Sequence, residues 1–291
     1  MKTKCRFSSM HTHTIFCDGS GDVETMCRAA YKKKLYAIGF SSHAPVEKQI
    51  GKKSNWCMKE ENVEKYLTEV RAAKERWQGK QKIFLGLEAD YIKGMRSPLD
   101  SDIKALNLDY IIGSVHYIVP ENGAQPFTVD GPAEELETGI KEGFNGDAEK
   151  MMHCYYDMQL EMIEQGGFDI LGHADIIKKN THNKNLWQHE KELIRQREVA
   201  KAAAKKGLVI EVNTGGINRK KINEVYPSLS FLKIMNEYHI PVIITADAHC
   251  SDDLDKNYTI AVKTLLLADF KEHVLFNGKN NTEFVWKKEK L

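Results

Sequence analysis

Histidine and acidic residues occur in this sequence at spacings that suit metal binding. His11 and His13 are separated by one residue, and Asp247 and His249 repeat that spacing much later in the chain. Residues two apart on a strand point to the same face, so each pair can present two ligand atoms to one cation. Neither pair is by itself specific for metal binding. A single histidine at a strand end is even less so, because it is more often structural than a ligand.

Further potential ligands stand where short apolar runs end. Seven runs each carry a His or an acidic residue at the same end, and the additional residues are His43, Glu88, His116, His173 and Glu211. Neither solvent exposure nor core packing would select His and Glu at this one position of each run. The joint pattern therefore predicts that the runs are strands that bring these side chains to one site.

The apolar runs themselves predict a parallel sheet, because each is short, nearly continuous and rich in aliphatic or aromatic residues. The expected strands cover residues 5–10, 35–40, 83–87, 110–115, 168–171, 208–212 and 241–245. Helical periodicity predicts helices over 23–34, 60–78, 147–165, 190–206, 228–238 and 258–267. This alternation predicts an α/β fold, a single-domain barrel spanning residues 1–291, with its site at the carboxyl ends of the strands.

Two connections between the predicted elements are long. One covers residues 44–59 and contains Trp56, and the other covers residues 117–146 and is rich in glycine and proline. Loops longer than about 12–15 residues are usually functional. We expect both connections to overhang the mouth of the barrel.

Composition excludes several classes of protein. Lys and Arg number 42 against 41 Asp and Glu, so the net charge of +1 provides no field for holding long nucleic acid. No apolar run approaches the roughly 18 residues of a membrane span. The six cysteines are scattered without a C-x-x-C pair, which favours a reducing compartment, and the expected location is the cytoplasm.

The types of ligand constrain the metal. Imidazole combined with carboxylate suits Zn, Mn or Fe better than Ca or Mg. The sequence offers more His and acidic residues than one ion can use, and a carboxylate such as Glu88 can bridge two ions. Neighbouring ions can hold the attacking and leaving oxygens in phosphoryl or acyl transfer.

Several motifs together resemble the polymerase and histidinol phosphatase (PHP) family. They are MHTHT followed by FCDG at residues 10–19, SH at 42–43, GLE at 86–88, IGSVH at 112–116, GHAD at 172–175 and DAH at 247–249. The GSVH and GHAD blocks, with EVNT at 211–214, resemble its histidinol-phosphate phosphatase branch in particular. The resemblance extends from residue 8 to about residue 250.

The resemblance implies a distorted seven-stranded (β/α) barrel that holds three divalent transition-metal ions. The first ion would be held by His11, His13, Glu88 and Asp247, the second by Glu88, His116 and His173, and the third by Asp18, His43 and His249. The match is weakest at Asp18. In the implied mechanism a hydroxide bridging two ions attacks the phosphorus of a monoester, with Glu88, Asp247 and His249 as catalytic residues.

The substrate phosphate also needs protein donors, and in this family basic residues follow the fifth and sixth strands. Lys178 and Lys179 occupy the first position here, where the family often has Arg, and Arg219 occupies the second. The predicted substrate contacts are Arg219, Lys179, Arg197 and Asn213.

The resemblance thus implies a cytoplasmic phosphatase that hydrolyses L-histidinol phosphate in histidine biosynthesis. The expected partner is a small phosphate monoester, without long nucleic acid or a membrane. Three alternatives are left open: another PHP phosphoesterase acting on nucleotides or nucleic-acid ends, an amidohydrolase-type C–N hydrolase, and a non-catalytic metal-binding module.

Overall fold

A curled parallel sheet forms the centre of the molecule. The computed structural model describes residues 5–51, 54–181, 184–280 and 283–291. Within these residues the sheet has six strands in the order β1-β2-β3-β6-β7-β8. Their bounds are β1 Ala37–Phe40, β2 Lys82–Asp90, β3 Tyr110–Ser114, β6 Ile170–Leu171, β7 Val209–Asn213 and β8 Val242–Thr245. All pairings between them are parallel, as the sequence predicts.

The first predicted strand, residues 5–10, is not a regular strand. Ser9 forms an isolated parallel bridge with Ile38, and Thr12 forms another with Ala248. Hydroxyl groups interrupt the ladder here, because Ser9 Oγ lies 3.1 Å from Thr12 Oγ1 and Ser41 Oγ accepts from Thr12 N at 3.1 Å. The segment nevertheless connects β1 to the chain that follows β8, which closes the curl of the sheet.

The helices lie between the strands along the chain, close to their predicted bounds. The longer ones are α1 Val23–Lys32, α3 Glu60–Arg76, α5 Ala133–Phe144, α6 Ala148–Gln165, α8 His189–Lys206, α10 Leu229–Glu237 and α11 Tyr258–Leu267. Short helices are α2 Glu47–Ile50, α4 Ser101–Lys104, α7 Lys178–Thr181 and α9 Gly215–Asn218. The side chains of Asp22, Asp147 and Ser228 cap α1, α6 and α10. Among the described helices, none combines the length and apolar character that crossing a bilayer requires.

Part of the second long connection is folded, contrary to its prediction as a loop. It contains α5 and a small antiparallel pair, β4 Tyr117–Ile118 with β5 Phe127–Thr128. Its glycines serve close packing: a Cβ on Gly139 would lie 2.4 Å from the Phe127 ring, and one on Gly143 would lie 2.6 Å from Pro120. The glycine content that suggested a loop therefore reflects a helix lying directly on β5 and its flanking chain.

A C-terminal hairpin, which the sequence did not predict, covers the amino ends of the strands. It consists of β9 Glu272–Asn280 and β10 Glu283–Lys290. Val274 and Phe276 of β9 pack in one buried cluster with residues near the strand starts, including Tyr110 and Ile170. The hairpin thus closes the end of the sheet opposite the predicted site.

Candidate metal centre

The side chains at the carboxyl ends of the strands converge on one cavity of about 340 Å³. Both long connections contribute to its wall, through Trp56 from the first and Asp130 from the second. Its lining also includes seven of the predicted site residues that carry ligand atoms, namely Asp18, His43, Glu88, His116, His173, Asp247 and His249. His11 and His13 lie beneath them, fully buried.

Glu88 is at the middle of this cluster, with both carboxylate oxygens facing imidazole rings. Its Oε2 lies 3.0 Å from His11 Nε2 and 3.0 Å from His43 Nδ1. Its Oε1 lies 2.9 Å from His173 Nε2 and 3.6 Å from His116 Nε2. Burial alone would raise the pKa of Glu88, but positive charge on the surrounding histidines outweighs it and holds that pKa well below its usual range. The geometry is that of a carboxylate able to bridge two cations.

Asp247 occupies the side of the cluster next to the two N-terminal histidines. Its Oδ1 lies 3.1 Å from His13 Nε2 and 3.9 Å from His11 Nε2. Asp247 has φ of 50°, in the left-handed region that non-glycine residues rarely adopt. The backbone is therefore held in an unusual conformation at the residue that presents this carboxylate, as is common at functional sites.

A third group of ligand atoms forms at the edge of the cavity. Asp18 Oδ2 lies 3.0 Å from His249 Nε2, and Asp18 Oδ1 lies 3.9 Å from His43 Nε2. Together with His13, these residues offer four ligand atoms within 4.8 Å of one another. The loop that carries Asp18 is tight, since a Cβ on Gly19 would lie 2.6 Å from the backbone of His13.

The donor set fits divalent transition-metal ions. Three further groups of ligand atoms satisfy the same spacing: His11–His13–Glu88, His11–His173–Asp247 and His43–Glu88–His116. Among the described residues, buried His13 Nε2 and His43 Nδ1 have no hydrogen-bond partner although carboxylates lie close by. Burial, with the positive charge of His249 and His43, lowers the pKa of His13 to about 3, which leaves the neutral imidazole that a metal requires.

Two carboxylates behind the candidate ligands orient their rings, a role that was not predicted from the sequence. Glu211 Oε1 lies 2.5 Å from His11 Nδ1, and Asp90 Oδ1 lies 2.8 Å from His116 Nδ1. Such partners fix the ring orientation of metal-binding histidines. Asp90 could have been found from its spacing, because it follows Glu88 by two residues on β2. Glu211 was recognised only as a possible ligand, whereas here it stands behind His11.

The predicted substrate contacts are divided by the structure. Arg219 and Lys179 line the cavity. Arg219 Nη2 lies 2.8 Å from Asp247 Oδ2 and its Nη1 donates to the Asp247 carbonyl at 3.1 Å. Lys179 pairs with Asp130, the Nζ lying 3.2 Å from Oδ2.

The other two predicted contacts, Arg197 and Asn213, do not line the cavity. Arg197 is half exposed on α8, where it pairs with Glu237 of α10 outside the cavity. Asn213 is fully buried, and its amide donates to Glu211 at 3.1 Å and accepts from Gly215 N at 2.7 Å. Helix periodicity did not reveal that Arg197 faces outward, and Asn213 acts on its neighbours instead.

The family profile described as the PHP domain matches residues 9–215, more than half of the chain. The chain belongs to the PHP family. The matched segment of this PHP protein includes every candidate ligand except Asp247 and His249. A relative from Deinococcus radiodurans named "Probable histidinol-phosphatase" is 28% identical over 256 residues, which cover 88% of this chain and 91% of the relative.

Two solved structures share the fold of this PHP chain. One is a Listeria monocytogenes protein assigned as a histidinol phosphatase, with a TM-score of 0.75 and 22% identity, covering 87% of this chain and 98% of that one. The other is histidinol phosphate phosphatase from Lactococcus lactis complexed with Zn, L-histidinol and phosphate. It has a TM-score of 0.68 and 18% identity, covering 94% and 99%. At these identities the likeness establishes the fold.

Proposed function

We propose that this protein is a metal-dependent phosphatase that hydrolyses L-histidinol phosphate to L-histidinol and phosphate, a reaction of histidine biosynthesis. The observation that carries the proposal is Glu88, a buried carboxylate facing five imidazoles on the floor of a cavity that Arg219 also lines. Phosphoryl transfer needs positive charge around the phosphoryl oxygens, which Arg219 and metal ions held by this donor set would supply. The names of the PHP relatives support the same substrate.

The proposed cofactors are three divalent transition-metal ions, Zn, Mn or Fe. The first would be held by His11, His13, Glu88 and Asp247, the second by Glu88, His116 and His173, and the third by Asp18, His43 and His249. When bound, such ions supply a water-derived nucleophile at neutral pH and positive charge for the phosphoryl oxygens. The groups His11–His13–Glu88 and His13–Asp18–His43–His249 support the first and third sets. The contacts of Glu88 Oε1 with His116 and His173 support the second.

The remaining residues bind and orient. Arg219 is anchored on Asp247 through Nη1 and Nη2 of its guanidinium, which fixes its position in the cavity before a substrate enters. A guanidinium can bond two phosphoryl oxygens at once, so Arg219 is the proposed phosphate contact. Glu88, Asp247 and His249 are the proposed catalytic residues, because all three line the cavity and belong to the candidate metal groups.

In this proposal residues 1–291 form one catalytic domain. The enzyme acts in the cytoplasm on a small molecule. Its barrel is counted as seven-stranded if the segment bridged to β1 and to the chain after β8 is included. Long nucleic acid and membranes play no part in the proposed reaction.

Metal analysis and a substrate panel test the proposal. Purified protein should contain more than one equivalent of transition metal, and a strong chelator should abolish phosphate release. L-Histidinol phosphate should be hydrolysed with a higher kcat/KM than nucleotide or sugar phosphates. Full activity in metal-free protein would contradict the mechanism. A preference for nucleotides would indicate a different PHP phosphoesterase, and cleavage of C–N substrates would indicate an amidohydrolase-type enzyme.

A further inference from the structure

Five acidic residues line the cavity, and two of them have no role in the proposed metal centre. They are Asp18, Glu88, Asp130, Glu135 and Asp247. Three belong to the candidate metal groups. Glu135 accepts hydrogen bonds from the hydroxyl of Thr128 at 2.7 Å and from its backbone N–H at 3.3 Å. Asp130 is left as a carboxylate whose purpose the metal centre does not explain.

Asp130 is held firmly in place. The amide of Asn180 donates to the carbonyls on both sides of it, at 3.0 Å to Val129 and 2.9 Å to Gly131. Lys179 donates to the Asp130 carbonyl and also lies 3.2 Å from Oδ2. Within the described part of the chain, Lys179 engages the carboxylate through Oδ2, so Oδ1 can accept from a molecule in the cavity.

The charge of Asp130 acts directly on the reaction centre. Burial would raise its pKa, but positive charge on His116, Lys179 and His173 outweighs the burial, and the pKa lies below its usual range. Asp130 is therefore ionised at neutral pH. Two of those three neighbours are candidate metal ligands, so the carboxylate lies close to where the phosphoryl group would bind.

A fixed carboxylate in this position disfavours a plain phosphate dianion, because like charges repel strongly in a partly buried site. This repulsion is offset when the leaving group carries a positive charge of its own, because Oδ1 can then accept a hydrogen bond from the cationic N–H group. Trp56 and Ile176 give the same cavity apolar wall for the rest of such a leaving group.

We propose that Asp130 is a specificity-determining residue that accepts a hydrogen bond from a cationic N–H group of the leaving alcohol. The enzyme would thereby select phosphate monoesters of amino alcohols over uncharged or anionic ones. This inference rests on the proposed phosphatase function, and the ammonium group of L-histidinol is a cation of the required kind.

The test compares two substrates on the metal-loaded enzyme. For Asp130→Asn, kcat/KM for L-histidinol phosphate should fall about 10- to 100-fold, the order expected for one lost charged hydrogen bond, mainly through a higher KM. With p-nitrophenyl phosphate, whose leaving group carries no cation, kcat/KM should stay the same or rise. Glu134→Gln is the matched control, because Glu134 is exposed one residue before Glu135 and does not line the cavity; it should affect neither substrate.

Product inhibition gives a second readout. In Asp130→Asn the inhibition constant of L-histidinol should rise by a similar factor, and that of inorganic phosphate should not. Equal impairment on both substrates would overturn the proposal in favour of a structural role, and no change on either would show that Asp130 makes no such contact. A wild type that does not prefer L-histidinol phosphate would contradict the proposed function but not the role of Asp130. In that case Asp130→Asn should lower kcat/KM for O-phosphoethanolamine, whose leaving alcohol is cationic, and not for glycerol phosphate.

Discussion

The carboxylate of Glu211 lies 2.5 Å from Nδ1 of His11, although the two residues are 200 positions apart in sequence. The same carboxylate accepts from the backbone N–H of His173 at 2.8 Å and from the hydroxyl of Thr245 at 2.6 Å. Glu211 therefore fixes His11 and at the same time ties β7 to its neighbours β6 and β8. One buried side chain thus holds together the chain segments that carry three of the candidate ligands, His11, His173 and Asp247.

Replacing this carboxylate should weaken metal binding. In Glu211→Gln the ring of His11 loses its charged partner, and changes of this kind typically reduce metal affinity by about 10–100-fold. Titration against a competing chelator measures the affinity directly. Glu237→Gln, at an exposed position on α10, is the control and should bind metal as the wild type does. Unchanged affinity in Glu211→Gln would show that His11 needs no charged partner.

The shared position of Glu88 leads to a stronger prediction. Glu88→Gln removes the charge that faces five histidines, so kcat should fall by several orders of magnitude while circular dichroism shows a folded protein. His153→Ala, on α6 and outside the candidate metal groups, should leave kcat nearly unchanged. Equal impairment in the two variants would require His153 to replace His173 in the second ligand set.

Arg219 should matter for substrate binding and not for metal content. Loss of its charged hydrogen bonds, each worth about 1.5–3 kcal/mol, should lower kcat/KM for the phosphate monoester by roughly 10–200-fold in Arg219→Ala. Metal content should persist, because Arg219 contacts Asp247 Oδ2 and His249 Nδ1, whereas Asp247 Oδ1 faces His13 and His249 Nε2 faces Asp18. Arg219→Lys should restore part of the loss, since lysine lacks the planar fork. Wild-type kinetics in Arg219→Ala would move the phosphate contact to Lys179.

Asp169 provides a pH test that is independent of metal. Burial raises its pKa to about 6, although its carboxylate accepts a hydrogen bond from Ile111 N at 2.7 Å. Because the folded-state pKa lies above the unfolded value, Asp169 stabilises the fold at low pH, and this stabilisation is lost as pH rises through about 6. The free energy of unfolding of Asp169→Asn, relative to that of wild type, should therefore increase by roughly 1–2 kcal/mol between pH 4.5 and pH 7.5. Urea unfolding at both pH values measures this, and an equal difference at both would contradict it.

The sequence predicted the parts of the fold that depend on local pattern. Helices such as α3 and α6 were placed within two residues of their bounds, because their apolar periodicity is a local property. The hairpin of β9 and β10 was missed, since Val274, Leu275 and Phe276 are buried in succession within a mostly polar segment that fits neither a helical nor an alternating pattern. The six-stranded count differs from the expected seven because hydroxyl contacts interrupt the first run.

The candidate site was predictable to the same extent. Ligand-type residues at the carboxyl ends of strands must meet if the strands are parallel, and the nine candidates do come together in space. Their roles as ligands remain predictions. The contacts of Glu211, Asp90 and Asp130 were not predictable, because each depends on which distant side chain faces the carboxylate, although Asp90 could be located from its spacing to Glu88. Arg197 was misplaced for the same reason, since periodicity gives the spacing of a helix face and not its direction.

The bridge between Thr12 and Ala248 has a consequence for how the protein is made. His11 and His13 leave the ribosome more than two hundred residues before Ala248, which holds their segment on one side. Their imidazoles therefore remain without two of their carboxylate partners, Glu211 and Asp247, until those residues have been synthesised. Assembly of the centre is coupled to a late step of synthesis, so a stalled or truncated nascent chain carries unpaired histidines instead of a partly active enzyme.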